Sequence, residues 1–155
     1  MTEVSDQTAT TAEVVERLRA AMESGQPQDF IAQFAEDAVY ETPFELAGRP
    51  SRWEGFQAVS EHLGAENPTK QLLEFNRVTV ETHLGADPEV VTAQFTIAGK
   101  VLASGEQFVL PSSIGIIQVR DGKIVRYQDY TNTLRGAQLA GVLKHFAASL
   151  AAAAE

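Results

Sequence analysis

The chain contains no cysteine, so it can hold neither a disulfide nor a thiolate nucleophile, and zinc sites built on cysteine are excluded. Basic charge is scarce. Twelve Lys and Arg against twenty-one Asp and Glu leave a net charge of −9, and no run of Lys or Arg interleaved with aromatics exists that could neutralise phosphates. Neither nucleic acid nor an anionic membrane surface is an expected partner. Long apolar runs are missing too, because the Ala-rich tail from Leu134 to Ala154 is broken by Arg135, Gln138, Lys144 and His145. The N-terminal MTEVSDQTATTAEVVERL carries acidic and hydroxyl residues where a secretory signal would carry positive charge and then an apolar run. A soluble protein of the cytoplasm is the expectation. No GxGxxG, P-loop or GxSxG occurs, which leaves nicotinamide, nucleotide-hydrolysis and serine-esterase chemistry without sequence support. His62, His83 and His145 lack the paired spacing of a metal site. The chain is therefore expected to work with no cofactor and no metal.

What is present suits one domain. A chain of 155 residues buries about two-thirds of the surface its unfolded form exposes, and its 44% apolar and 21% charged content is that of a globular protein. Val15, Leu18 and Met22 follow helical spacing over Ala12–Ser24, with a hydroxyl cap before and Gly25 after. Pro27 opens a second helix expected to carry Phe30, Ile31 and Phe34 and to stop near Asp37. A short strand over Ala38–Thr42 ends at Pro43. Phe56, Val59 and Leu63 predict a third helix over Trp53–Leu63, closed by Gly64.

Beyond it the period changes. Lys70–Thr82, Val90–Leu102, Glu106–Arg120 and Lys123–Asn132 are rich in β-branched and aromatic residues and are separated by turn chemistry. Asp121-Gly122 is the strongest hairpin signal, because a primed turn needs positive φ. From Leu134 the composition favours one helix with a stripe of Leu139, Val142, Leu143, Phe146 and Leu150, needing the sheet or a second copy to cover it. Its end, from Ala151, is expected to fray. Helices first and strands after give an α+β layout. Residues 1–11 read as a flexible N-terminus, 12–134 as the domain, and 135–155 as a C-terminal helix of that same domain.

Three strings carry a resemblance: DFIAQFAEDAVYETP at Asp29–Pro43, GRPSRWEGFQAVSEHL at Gly48–Leu63 and VRDGKIVRYQDYTNTL at Val119–Leu134. With their spacing they resemble the SnoaL-like branch of the nuclear-transport-factor-two-like superfamily. That resemblance implies a cone, with a curved antiparallel sheet wrapped around N-terminal helices and a C-terminal helix. It also implies a homodimer. Members include ketosteroid isomerases, epoxide hydrolases, polyketide cyclases, phenazine-pathway proteins and proteins that only bind ligands, so the fold does not settle the reaction.

Matching the subfamilies residue by residue narrows the choice. The isomerase pattern has its basic aspartate where Thr42 precedes Pro43, its tyrosine near Leu18 and its second acid near Ile114 or Gly115. None of these groups is retained. Epoxide hydrolases of this fold need an Arg-x-Asp pair where Gln94, Phe95, Thr96 and Ile97 stand. The last aspartate of their relay survives as Asp129, which also matches the acid/base aspartate of SnoaL-like cyclases.

Alternation along Lys123–Asn132 puts Val125, Tyr127, Asp129 and Thr131 on one face, opposite Ile124, Arg126, Gln128 and Tyr130. If the first face lines the cone, desolvation raises the Asp129 carboxyl towards the range of a general acid/base. The bland alternative pairs Asp129 with Arg126, Arg135 or a backbone amide. Tyr40 and Tyr127 are candidate oxyanion donors or core tyrosines. Phe44, Trp53, Phe56, Phe95 and Phe108 are candidates to line an apolar ligand cavity or to fill the core. His62 either reaches a pocket mouth or is a solvated helical histidine.

Two functions remain open: a cofactor-independent cyclase, isomerase or dehydratase for a hydrophobic polyketide- or terpenoid-like molecule, with Asp129 moving the proton, or a non-catalytic small-molecule-binding protein. Epoxide hydrolysis ranks behind both.

Overall fold

This computed structural model describes residues 9–154. The expected flexible stretch 1–11 lies outside them apart from its last three residues, of which Thr10 caps and Thr11 opens the first helix. There Thr10 Oγ1 accepts from Glu13 N at 3.2 Å, and Glu13 Oε2 accepts from Thr10 N at 3.4 Å. This reciprocal cap satisfies two otherwise orphaned donors. Helix α1 (Thr11–Ser24) ends at Gly25, whose φ of 70° is the left-handed conformation glycine adopts freely. Its buried stripe, Val14, Val15, Leu18 and Ala21, packs on the sheet. A fully buried side chain such as Leu18 contributes about 1.5–3 kcal/mol.

Helix α2 (Pro27–Ile31) stops sooner than its pattern predicts, and Phe34 opens strand β1 (Phe34–Glu41) instead of closing the helix. The physical reason is a tertiary ladder. Ile124 N donates to Gln33 O at 2.8 Å, and Phe34 pairs with Ile124, so the sheet claims residues that local spacing assigns to the helix. Trp53 likewise belongs to strand β2 (Arg52–Glu54), opposite Tyr40, and helix α3 (Phe56–Gly64) begins only after Gly55, at φ 87°. A single-turn helix, α4 (Pro68–Gln71), replaces the expected start of the next strand.

Strands β3 (Leu73–Leu84), β4 (Val90–Val101), β5 (Gln107–Arg120) and β6 (Lys123–Thr131) follow. The six-stranded order is β2-β1-β6-β5-β4-β3. Every neighbouring pair is antiparallel except β1 with β6, which is parallel. The sheet is therefore mixed rather than antiparallel throughout. β1 enters from α2 beside a strand ninety residues away in sequence, a pairing that no local pattern encodes. The sheet is curved and unclosed, and it wraps helix α1 as an α+β cone. Asp121 and Gly122 adopt φ of 51° and 74°, as a primed turn between β5 and β6 requires.

Alternation on β6 breaks once. Val119 pairs with Ile124 and Gln118 with Arg126, so a bulge absorbs Val125 and both Ile124 and Tyr127 face the core. The C-terminal helix is two helices, α5 (Thr133–Leu139) and α6 (Leu143–Ala153), parted by Gly141 at φ 77°. Ala137 of α5 is buried, whereas α6 buries no residue fully and keeps helical form to Ala153. Among the described residues no helix is long and apolar enough to cross a membrane.

Candidate functional site

The parallel pairing of β1 with β6 sets Tyr40 directly beside Tyr127, and their buried rings stack at 5.3 Å between centroids. One pleat further along β6, Asp129 points to the same side and accepts a hydrogen bond from the Tyr40 hydroxyl through Oδ2. Its other oxygen, Oδ1, is shielded from solvent and has no hydrogen-bond partner among the described residues. Burial therefore pushes the carboxyl up to about 6, against the opposing pull of the Tyr40 hydrogen bond. Burial, followed by the Asp129 charge, pushes both phenols well above their ordinary value. Both stay protonated donors at neutral pH.

Gly115 makes room for this arrangement. It lies opposite Asp129 on β5, and a Cβ there would come within 2.8 Å of the Tyr127 hydroxyl. The Tyr40 ring is also braced from behind, with Phe34, Trp53 and His62 at centroid distances of 6.2, 6.0 and 5.4 Å. His62 stacks flat on Trp53 at 3.5 Å. It is half-buried rather than solvated, and that burial lowers its pKa.

Tyr40, Tyr127 and Asp129 open onto a cavity of about 560 Å³ between sheet and helices. Its walls include Phe30, Leu63, Leu73, Phe75, Ile97, Leu110 and Phe146, with Lys70, Ser112 and Asn132 among the polar contributors. The structure thus brings the three candidate catalytic residues to one place. The six candidate ligand-contacting residues lie elsewhere. Trp53 and His62 form the brace behind Tyr40, and Phe95 and Phe108 are buried in the core. Phe56 is partly exposed at the start of α3, and Phe44 is 80% exposed on the outer side of the sheet, edge-on to Tyr130 at 4.7 Å. Phe44 and Phe95 border a second depression of about 460 Å³ there.

The walls that were missed carried a usable signal. Phe75, Ile97 and Leu110 occupy inward positions of their strands, and only the register between strands shows that these positions meet around Asp129. The ion pairs weighed for Asp129 do not form. Arg126 Nε donates to Glu41 at 3.0 Å, and Arg135 binds Gln138. At the positions of an epoxide-hydrolase Arg-x-Asp pair, Phe95 and Ile97 are buried apolar side chains, while Gln94 is exposed.

A sequence profile of the SnoaL-like domain matches residues 15–127, and the chain belongs to this family. Among its relatives, the uncharacterised protein YesE of Bacillus subtilis is 37% identical over 99 residues, 64% of this chain. That match covers 65% of YesE, slightly under two-thirds of its length. An uncharacterised PhzA/B-like protein of Pseudomonas aeruginosa is 27% identical over 122 residues, covering 77% of this chain and 82% of its own. The solved structure of a proposed isomerase from Bacillus subtilis superposes with a TM-score of 0.68 at 29% identity, over 84% of this chain and 92% of that one.

Proposed function

We propose that this chain is a cofactor-independent cyclase, isomerase or dehydratase acting on a hydrophobic polyketide- or terpenoid-like small molecule, with Asp129 as the acid/base. The observation that carries the reading is the Asp129 carboxyl itself, which faces a cavity with one oxygen oriented by Tyr40 and the other unpartnered. With its carboxyl at about 6, roughly nine in ten molecules carry the carboxylate at pH 7. That suits a general base near neutrality.

In this reading the Asp129 carboxylate takes a proton from a substrate carbon next to a carbonyl, the electron pair moves onto the carbonyl oxygen, and the Tyr127 hydroxyl donates to that oxygen. The proton returns from Asp129 to a different atom. Family membership and the isomerase-like neighbour lend support.

The test is hydrogen exchange. A panel of enolisable aromatic and terpenoid ketones incubated with the protein in D₂O should gain deuterium next to the carbonyl, at a rate that falls at least about 100-fold in Asp129→Asn. Ketones that bind with no exchange above that variant would leave a binding protein and remove the enzyme.

We further propose that the working form is a homodimer joined through the outer sheet face. Phe44, Val109 and Ile114 expose apolar surface on that side, which pairing of two copies would remove from water. Sedimentation at micromolar concentration should show a species of twice 16.8 kDa. A single monomeric species would refute the proposal.

A further inference from the structure

Two charged side chains line the cavity, Asp129 and Lys70, and they differ in what they can recognise. Asp129 is shielded and engaged with Tyr40. Lys70 lies on α4 and is exposed. Its place is set by the chain around it, because Asn67 Oδ1 accepts from Thr69 N at 3.1 Å and Lys70 N at 3.3 Å and so holds the short helix at the cavity rim. The ammonium stands 5.6 Å from the centroid of Phe75, itself a cavity wall.

Lys70 forms no ion pair among the described residues. Arg19, Arg49, Arg52, Lys100, Arg120 and Arg126 each meet a carboxylate; Arg17, Arg77, Lys123, Arg135 and Lys144, like Lys70, meet none among the described residues, but of these six only Lys70 lines the cavity. In a chain of net charge −9, an unpaired cation held against the wall of a cavity has its donors free for something that enters.

We propose that Lys70 is the anion-recognising residue of this cavity, and that its ligand is an apolar small molecule bearing one anionic oxygen group, a carboxylate or its equivalent. This rests on the reading of the cavity as the ligand site. The anionic group sits at the rim on the ammonium, a compact charge with three rotatable donors, and the apolar body runs inward to Asp129. The reverse orientation would set anion against carboxylate, and the like charges would repel. Lys70 thus decides which end of the substrate meets the proton-transfer centre. It is a specificity residue, not a catalytic one.

Two dyes with the same aromatic frame test this: 8-anilinonaphthalene-1-sulfonate, which is anionic, and N-phenyl-1-naphthylamine, which is neutral. Lys70→Met and Lys70→Glu should weaken the sulfonate by roughly fivefold or more, whereas Lys70→Arg should hold it within about twofold. The neutral dye should change by less than about twofold in all three. Salt at about 0.5 M should weaken the sulfonate in the parent protein and not in Lys70→Met. Because Lys70 is exposed, folding is not at stake, and melting curves check this. Leu63→Trp, which narrows the cavity, should weaken both dyes.

If Lys70→Met binds the sulfonate as tightly as the parent while Leu63→Trp excludes both dyes, the assignment of Lys70 is overturned and the cavity remains the ligand site. If Leu63→Trp affects neither dye, or neither dye binds, both readings fall.

Discussion

At pH 8 the Asp129→Asn variant is expected to be more stable than the parent protein by about 1–2 kcal/mol, and to lose proton transfer by about two to four orders of magnitude. The folded carboxyl titrates at about 6 against an ordinary 3.8. The native state therefore keeps a proton that the unfolded chain has already released. The contribution of Asp129 to stability is fully present below about pH 4, falls as pH rises through about 6, and is then gone. The shift of about two pKa units is on the order of 3 kcal/mol. Asparagine removes the buried charge but sets Nδ2 where Oδ1 lacks a partner, and that unsatisfied donor offsets about 1–2 kcal/mol of the gain. Denaturant midpoints of the two proteins at pH 4 and pH 8 decide the matter. The advantage of the variant should appear at pH 8 and vanish at pH 4. An advantage that is equal at both values, or larger at pH 4, would mean that Asp129 is not raised. A residue that lowers stability where the protein works is the usual signature of a group kept for function.

Tyr40→Phe should act in the opposite direction on stability. It removes the hydrogen bond that the Asp129 carboxyl accepts from the Tyr40 hydroxyl, and a hydrogen bond to a charged group contributes about 1.5–3 kcal/mol. The loss should be largest above pH 6, where the carboxylate form needs the donor. Because the Tyr40 donor is the influence that lowers the Asp129 carboxyl, its pKa should climb above about 6 in the variant. Carboxyl-carbon NMR titration of both proteins, with Asp129→Asn for assignment, reads this directly. An unchanged Asp129 titration in Tyr40→Phe would show that the phenol does not hold the carboxylate. The phenylalanine ring keeps its stack on Tyr127, so lost packing is not a rival explanation.

These two residues show how far local reasoning reaches. Asp129 is legible because a lone acid in RYQDY, flanked by strand formers, shares a face with Tyr127. Tyr40 is legible because strand alternation sets it on one face with Ala38 and Thr42, and Ala38 and Tyr40 are both buried. Their hydrogen bond spans 89 positions, and the parallel pairing of β1 with β6 creates it. Phe44, Trp53, Phe56, His62, Phe95 and Phe108 were singled out as aromatic side chains. Chemical type says nothing about direction, and the strand registers and Gly55 turned them to the core, the brace or the outer face.

Short-range physics was readable from the residues alone. A hydroxyl cap with Glu13 ahead of the first helix, the left-handed Gly25, the Asp121-Gly122 turn and the period-two runs of the four long strands each depend on neighbours within a few positions. The family resemblance, carried by three local strings, belongs to the same level. Only the tertiary structure decided that Phe34 joins a strand, that the bulge at Val125 turns both Ile124 and Tyr127 inward, and that Lys70 and Asp129 line one cavity. In each case the deciding interaction is a ladder or a packing contact between distant segments. Its free energy exceeds the fraction of a kcal/mol by which local propensities differ.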